Sequence, residues 1–397
     1  MKLKLGKLFW NEGVSTPCYT ALEDDMICDV LIVGSGSVGA HTAYFLSKIG
    51  MDVTVIDKRE IAHGSTAANT GLLQFSQDKS LTSLIHTFGE ERGVRAYQLC
   101  YEALRTLENV VKELSIDPVF KLRGSLYYAS DEKDISLVQE EYNTLKRYGF
   151  LVEFLSSAQV SERYSFRKEA ALYTSGDAEV NPYLLAHSLL QKAKEQGAQV
   201  FKHTEVVHMK RILGEIYCYL SNGKIIKAKS VIMATGYESQ FVNRNPNVEL
   251  SISYAIVTNV QKQFDGWYEK SLIWETARPY LYCRTYKDRV IIGGLDEPFI
   301  LHKYAENRLL YKRDVLVERV KEMFPFFTDV RAEYYWGAIF GGSRDGLPTL
   351  REDKEIPNLY YALTYGGNGT VYAMVFAKIF QELFTHGKSS DFCLFQR

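Results

Sequence analysis

The chain has 397 residues, 46% of them hydrophobic, and a formal net charge of -1 at pH 7. That is enough length for two domains and enough apolar content for a packed core, which excludes a disordered chain. The near-neutral balance excludes a strongly charged surface of the kind that binds nucleic acid or anionic membrane.

Residues 1–27 read as an arm leading into the first domain. The opening stretch is basic, but no apolar core follows it, so it does not read as a signal peptide. Residues 29–33 form a short apolar strand that runs into GSGSVG at 34–39. A helix follows, with Val38, Thr42, Phe45, Leu46 and Ile49 on one face. It ends at Gly50, and 51–56 is the next strand. No clear element is expected at 61–76. A long helix is expected over 81–114, a strand over 121–129 and a helix over 133–147. An amphipathic helix at 184–197 precedes a strand at 199–201. Residues 205–235 hold two strands, a tight turn at Ser221-Asn222-Gly223 and a third strand at 230–234. Further strands are read at 251–261, 279–284, 289–294 and 332–340. Helices are read at 304–323 and 370–386. No run of 18 apolar residues occurs, so no membrane span is expected. The six cysteines are scattered, without CxxC or zinc-ligand spacing. They read as reduced structural thiols in a cytoplasmic protein without a metal site.

In GSGSVG each glycine has a physical task. Gly34 allows the tight turn out of the strand. Gly36 lets the backbone approach a pyrophosphate, and Gly39 lets the helix pack close to the sheet. Ser37 and Val38 supply N–H groups at the positive end of the helix dipole. Asp57 ends the next strand, where a carboxylate accepts hydrogen bonds from ribose hydroxyls and disfavours a 2′-phosphate, hence NADP. The motif alone leaves FAD and NAD both open.

Four further segments follow in order. They are 64–73 (GSTAANTGLL), 124–128 (GSLYY), 177–182 (DAEVNP) with its helix, and Trp336-Gly337 through 345–348 (DGLP) to 365–369 (YGGNG). Together with the cradle they resemble the D-amino-acid oxidase superfamily of flavoproteins, which includes glycine oxidase and sarcosine oxidase. The resemblance runs from residue 28 to the last helix. It implies an α/β fold: an FAD-binding, Rossmann-like domain of the glutathione-reductase type and a second, substrate domain on a mixed β-sheet. The expected division is 1–84, 159–240 and 342–397 for the first, with 85–158 and 241–341 for the second.

The resemblance also implies site roles. Asp57 and Lys58 meet the adenosine, and Val206 meets adenine through its backbone. Ser65 and Thr66 face phosphate and ribitol. Thr70, Gly71 and Leu72 run past the isoalloxazine, and Ala234, Thr235 and Gly236 end a strand beside the cofactor. Gly366, Gly367, Asn368, Gly369 and Thr370 form a second helix start toward the flavin's N1–C2=O edge. The loop at 65–72 holds no His and 337–343 no Cys, so non-covalent FAD is expected.

The implied reaction oxidises a C–N bond of a small amine or amino acid by hydride transfer to flavin N5. The resulting imine hydrolyses, and electrons pass to oxygen or another acceptor. The family's carboxylate-binding Arg reads Phe340 here, and the sarcosine oxidases' Lys reads Val371. Arg284, on one strand face with Tyr280 and Tyr282, is a candidate anion holder. Tyr254, Trp274 and Trp336 are candidate pocket aromatics, with core or sheet packing as the alternative; Glu275 and Arg344 read as structural or exposed, and Asp345-Gly346 as a turn. The alternatives are a flavoprotein subunit of a multi-component dehydrogenase and a non-catalytic FAD-binding protein.

Overall fold

The computed structural model describes residues 4–242, 245–299, 305–364 and 366–396. Tyr365, first residue of the expected C-terminal glycine motif, lies outside them.

Val30, Leu31 and Ile32 have no exposed surface because their strand, Met26–Val33, lies inside a sheet covered on both faces. The order of that sheet is Thr349–Glu352, Leu359–Leu363, Ile225–Met233, Met26–Val33, Val53–Ile56 and Gln199–Phe201. Pairing is parallel from Leu359–Leu363 to Gln199–Phe201. Val30 and Ile32 point to the side of helices Ser37–Lys48, Pro182–Glu195 and Gly369–His386. Leu31 points to the other side, against Ile216, Cys218 and Leu220 of the meander Val206–Ile212, Glu215–Leu220 and Ile225–Met233. The turn at Ser221-Asn222-Gly223 is present, with the Gly223 N–H donating to Leu220 O at 3.0 Å. The helix expected at 184–197 starts earlier. Pro182 takes its first turn, and the Asn181 side chain accepts the Tyr183 and Leu184 N–H groups at 3.1 and 3.0 Å.

The second sheet is mixed. Its order is Lys4–Lys7, Ala332–Ser343, Val248–Thr258, Arg289–Pro298, Leu281–Tyr286, Leu272–Glu275, Lys121–Tyr128, Ala170–Glu179 and Leu72–Leu73, with Val152–Ser156 also on Ala170–Glu179. Leu272–Glu275 and Lys121–Tyr128 run parallel; the other pairs are antiparallel. This is the α/β fold with a second mixed sheet that the sequence leads one to expect. Three segments depart from the expected division. The N-terminal arm contributes Lys4–Lys7 to this second sheet, and so do Leu72–Leu73 and Ala170–Glu179. Ala170–Glu179 pairs with Lys121–Tyr128 (Leu126 opposite Tyr173), with the nearby Val152–Ser156 (Ser156 opposite Ala170) and with Leu72–Leu73.

The long helix expected at 81–114 is broken. Gly89 takes φ +85° between Leu81–Phe88 and Glu90–Val110. A Cβ on Gly93 would stand 2.8 Å from the Ile85 nitrogen, so a glycine there lets the two helices cross closely.

Candidate active site

The cradle at 34–39 is built from close backbone approaches. Gly34 takes φ +113°, and a Cβ there would stand 2.4 Å from Ala234 O on the adjacent strand. A Cβ on Gly39 would stand 1.8 Å from Gly34 O, so the helix can begin against its own turn only with glycine at that position. The start of Ser37–Lys48 has no side-chain cap. The Ser37 N–H donates to Thr66 Oγ1 at 2.9 Å, which ties the cradle to the Ser65–Ala68 turn.

A cavity of about 590 Å³ opens beside this helix start. Its wall includes Gly34, Gly36, Ser37, Val38, Asp57 and Lys58. It also includes Ser65, Thr66, Val206, Ala234, Thr235, Gly236 and Thr370. The volume lies within the range of cofactor sites, roughly 300–1,000 Å³. With the Ser37 N–H taken by Thr66, the rest of the helix start and the glycine backbone at this end suit a pyrophosphate. Asp57 first holds the loop together: Ser35 N–H and Oγ–H donate to its Oδ2 at 2.9 and 2.6 Å, and Arg59 N–H to its Oδ1 at 2.9 Å. Oδ1 retains acceptor capacity for a hydroxyl. At the rim, Glu238 takes Arg59 in two hydrogen bonds of 2.9 and 2.6 Å and lies 3.3 Å from Lys58 Nζ. These residues fit a dinucleotide.

A second cavity, of about 130 Å³, shares Ser65, Asn69, Tyr237 and Gly369 with the first. Thr70, Leu72, Gly366, Gly367 and Asn368 line it, together with Tyr254, Trp274, Tyr280, Tyr282, Trp336 and Phe340. Polar contacts and stacking fix several of these walls. Trp336 Nε1 donates to Ala68 O at 2.9 Å, and Trp274 stacks on Tyr127 at 4.0 Å between ring centres. Tyr254 donates its hydroxyl to Glu297 at 3.2 Å, so it offers the cavity its ring. Asn368 Nδ2 donates to Gln74 O and Ser76 O at 2.8 and 2.7 Å. That joins the C-terminal glycine turn to the loop after Leu72–Leu73.

Two expected cofactor contacts and the expected anion holder lie elsewhere. Gly39 faces its own turn. Gly71 faces strand Ala170–Glu179 and its exit: a Cβ on it would stand 2.1 Å from Val180 O and 2.8 Å from Arg284 Nη2. Arg284 is fully buried. It donates to Thr70 O and Val180 O, both at 2.8 Å, and lies 3.5 Å from Glu179 Oε2. Burial pulls its pKa down to about 10. Strand alternation carries Tyr280 and Tyr282 to the cavity, but two residues further the same face is already under the loop at 70–71. Arg284 is therefore a loop clamp. Glu275 and Arg344 are structural as expected: Glu275 takes the Tyr128 hydroxyl and the Leu281 N–H, both at 3.0 Å, and Arg344 pairs with exposed Glu249.

One cavity residue left no signal in the sequence. Asp78 follows no motif and sits on no periodic face, yet its Oδ2 accepts the Gly367 N–H at 2.7 Å from 289 residues away. Its Oδ1 accepts the Tyr280 hydroxyl at 3.2 Å.

A family model described as FAD dependent oxidoreductase (DAO) matches residues 29–383. Gamma-glutamylputrescine oxidoreductase of Escherichia coli is 22% identical over 389 residues, covering 92% of this chain and 85% of that protein. A putative Rieske 2Fe-2S iron-sulfur protein of Bacillus subtilis is 23% identical over 203 residues, 51% of this chain and 39% of that longer protein. The crystal structure of glycine oxidase from Geobacillus kaustophilus superposes with a TM-score of 0.78 at 21% identity, covering 92% of this chain and 96% of that one.

Proposed function

The chain belongs to the DAO family of FAD dependent oxidoreductases, and from that premise we propose that it oxidises a C–N bond of a small amine or amino acid to an imine, which water then hydrolyses. One observation carries the reading. The dinucleotide-sized cavity and a small aromatic chamber adjoin, with Ser65, Asn69, Tyr237 and Gly369 lining both.

Bound FAD supplies the acceptor for two electrons and the hydrogen from the carbon next to nitrogen. The protein's part is position and electrostatics. Gly34, Gly36 and the start of Ser37–Lys48 would hold the phosphates, Asp57 the ribose and Val206 the adenine. Gly369 and Thr370 open the last helix toward the ring system, where its positive end favours negative charge. Trp336, Tyr282, Tyr254 and Phe340 exclude water and press the substrate's carbon toward the ring. No side chain of the chamber has to take a proton from carbon, and its lining holds no His, Lys or Arg among the described residues. A relative named gamma-glutamylputrescine oxidoreductase and a structural neighbour named glycine oxidase are named for nitrogen-containing substrates, which supports the reaction type. Six unpaired thiols suit the reducing cytoplasm, where we place the protein.

The test is anaerobic bleaching of the yellow holoprotein by amines, N-methyl amino acids, and D- and L-amino acids. Bleaching by one class is expected. Readmitted air restores the colour quickly if oxygen is the acceptor and slowly if another carrier is. A flavin-loaded protein that no member of the panel bleaches would refute C–N oxidation.

A further inference from the structure

The small chamber is lined by aromatic rings, amides and hydroxyls, and among the described residues its one formal charge is a carboxylate, Asp78. Two neutral donors reach that carboxylate, the Gly367 N–H and the Tyr280 hydroxyl. Among the described residues it takes part in no ion pair. Asp78 is partly exposed, and its two neutral donors leave it as the one charged group of the lining, so a cation bound in the chamber would meet an opposite charge. A second acid stands behind it. Asp296 Oδ1 is buried and has no hydrogen-bond partner. Burial first, and the charge of Asp78 among its neighbours, hold the Asp296 carboxyl above the usual range. The rings of Tyr280, Tyr282 and Trp274 add electron-rich faces of the kind that attract an ammonium group.

The nearby cations are committed elsewhere. Arg278 donates to the carbonyls of Glu275, Thr276 and Ala277, and to the backbone oxygen of Asp78 at 3.2 Å, while its guanidinium lies over the Tyr280 ring at 4.9 Å. Lys312 pairs with Glu297 and donates to Leu295 O. Arg284 is buried under the loop at 70–71. Among the described residues the chamber lining therefore presents one carboxylate and no cationic side chain, with Arg278 outside it, over the ring of Tyr280.

We propose that Asp78 is the specificity-determining residue of the chamber and selects a cationic amine without a carboxylate, the ammonium pairing with Asp78 between Tyr280 and Tyr282. This rests on the reading that the chamber is the substrate site. It narrows the substrate from amines and amino acids to amines of net positive charge such as diamines, in which the ammonium held by Asp78 is not the nitrogen oxidised; the reacting nitrogen is the neutral one, whose lone pair forms the imine as the hydride leaves. An amino acid brings a carboxylate that would meet Asp78 as a like charge in a space without a compensating cation.

The test uses the FAD-loaded protein and three unreactive probes of similar shape: tetramethylammonium, tert-butanol and pivalate. Binding is read from the shift of the flavin absorption band, without turnover. Tetramethylammonium is expected to bind at least about tenfold more tightly than pivalate, and Asp78→Asn to erase most of that preference. Asp78→Glu should keep the preference for the cation. If Asp78→Asn loses flavin or fails to fold, the wild-type ranking and Asp78→Glu still decide. Equal or tighter binding of pivalate, or an unchanged ranking in Asp78→Asn, would overturn the proposal. So would loss of pivalate binding in Arg278→Ala, which would make Arg278 a carboxylate holder. The two readings fail separately. Bleaching by amino acids with pivalate preferred would leave C–N oxidation standing and remove the role of Asp78. Cation preference without bleaching by any substrate would do the reverse.

Discussion

Asp177, which opens the DAEVNP segment, is a buried strand residue. Its Oδ1 accepts the Phe75 N–H at 2.9 Å and its Oδ2 the Thr174 hydroxyl at 3.1 Å. Burial outweighs these bonds and pushes its pKa up to about 6, against roughly 3.9 in an unfolded chain. A raised carboxyl favours the fold while protonated. Its contribution is complete below about pH 4 and is lost as pH rises through about 6. Asp177→Asn should therefore gain on the wild type by on the order of 2–3 kcal/mol between those limits. Urea unfolding of both proteins at the two ends of the window checks this, and a pH-independent difference would refute it. Arg284 is the other informative single residue. Arg284→Met removes both carbonyl bonds and leaves Glu179 with Arg123 alone, at 2.9 Å. A loss of about 3 kcal/mol or more is expected, measured by the same unfolding. A variant as stable as the wild type would show that the loop at 70–71 does not need the clamp.

At the scale of elements, the cradle depends on contacts between backbones. The 1.8 Å approach of a Cβ on Gly39 to Gly34 O has no flexible side chain to absorb it. Gly39→Ala is expected to yield protein with little or no bound flavin, read from the ratio of visible to ultraviolet absorbance. Gly342→Ala is the control, because a Cβ there meets nothing within 4 Å. Normal flavin content in Gly39→Ala would mean that the helix can shift along its axis without loss of the site.

For the whole molecule, FAD should act as part of the fold. Its cavity is walled by strand ends of the first sheet and by the turn Ser65–Ala68, and the adjoining chamber is walled by strands of the second. A ligand that binds only the folded chain stabilises it by about 2.7 kcal/mol when present at a hundredfold its Kd. Removal of FAD is expected to lower unfolding stability by about that amount, with both sheets responding. Denaturant unfolding of apo and holo protein, followed by Trp fluorescence, measures it. Unchanged stability would mean that FAD does not bind the folded chain in preference to the unfolded one.

The strand, glycine turn and helix at 29–49 were legible from the sequence because each step is local: an apolar run, glycines at backbone contacts and a 3.6-residue periodicity. The Ser221-Asn222-Gly223 hairpin was legible for the same reason, and so was the order of the motifs that carry the family. The N-terminal strand was not, since its partner Ala332–Ser343 lies far along the chain, and neither was the place of Ala170–Glu179 in the second sheet, since beside the nearby Val152–Ser156 it pairs with the distant Lys121–Tyr128 and Leu72–Leu73. Arg284 illustrates the limit most plainly. Alternation along its strand correctly predicted a shared face with Tyr280 and Tyr282, but only the packed loop at 70–71 decided that this face leaves the chamber before Arg284. Asp78 is the converse case: a loop residue with no pattern, brought to Gly367 by the closure of the two sheets on one another. Local chemistry specified the cradle, and long-range packing decided which charge the chamber contains.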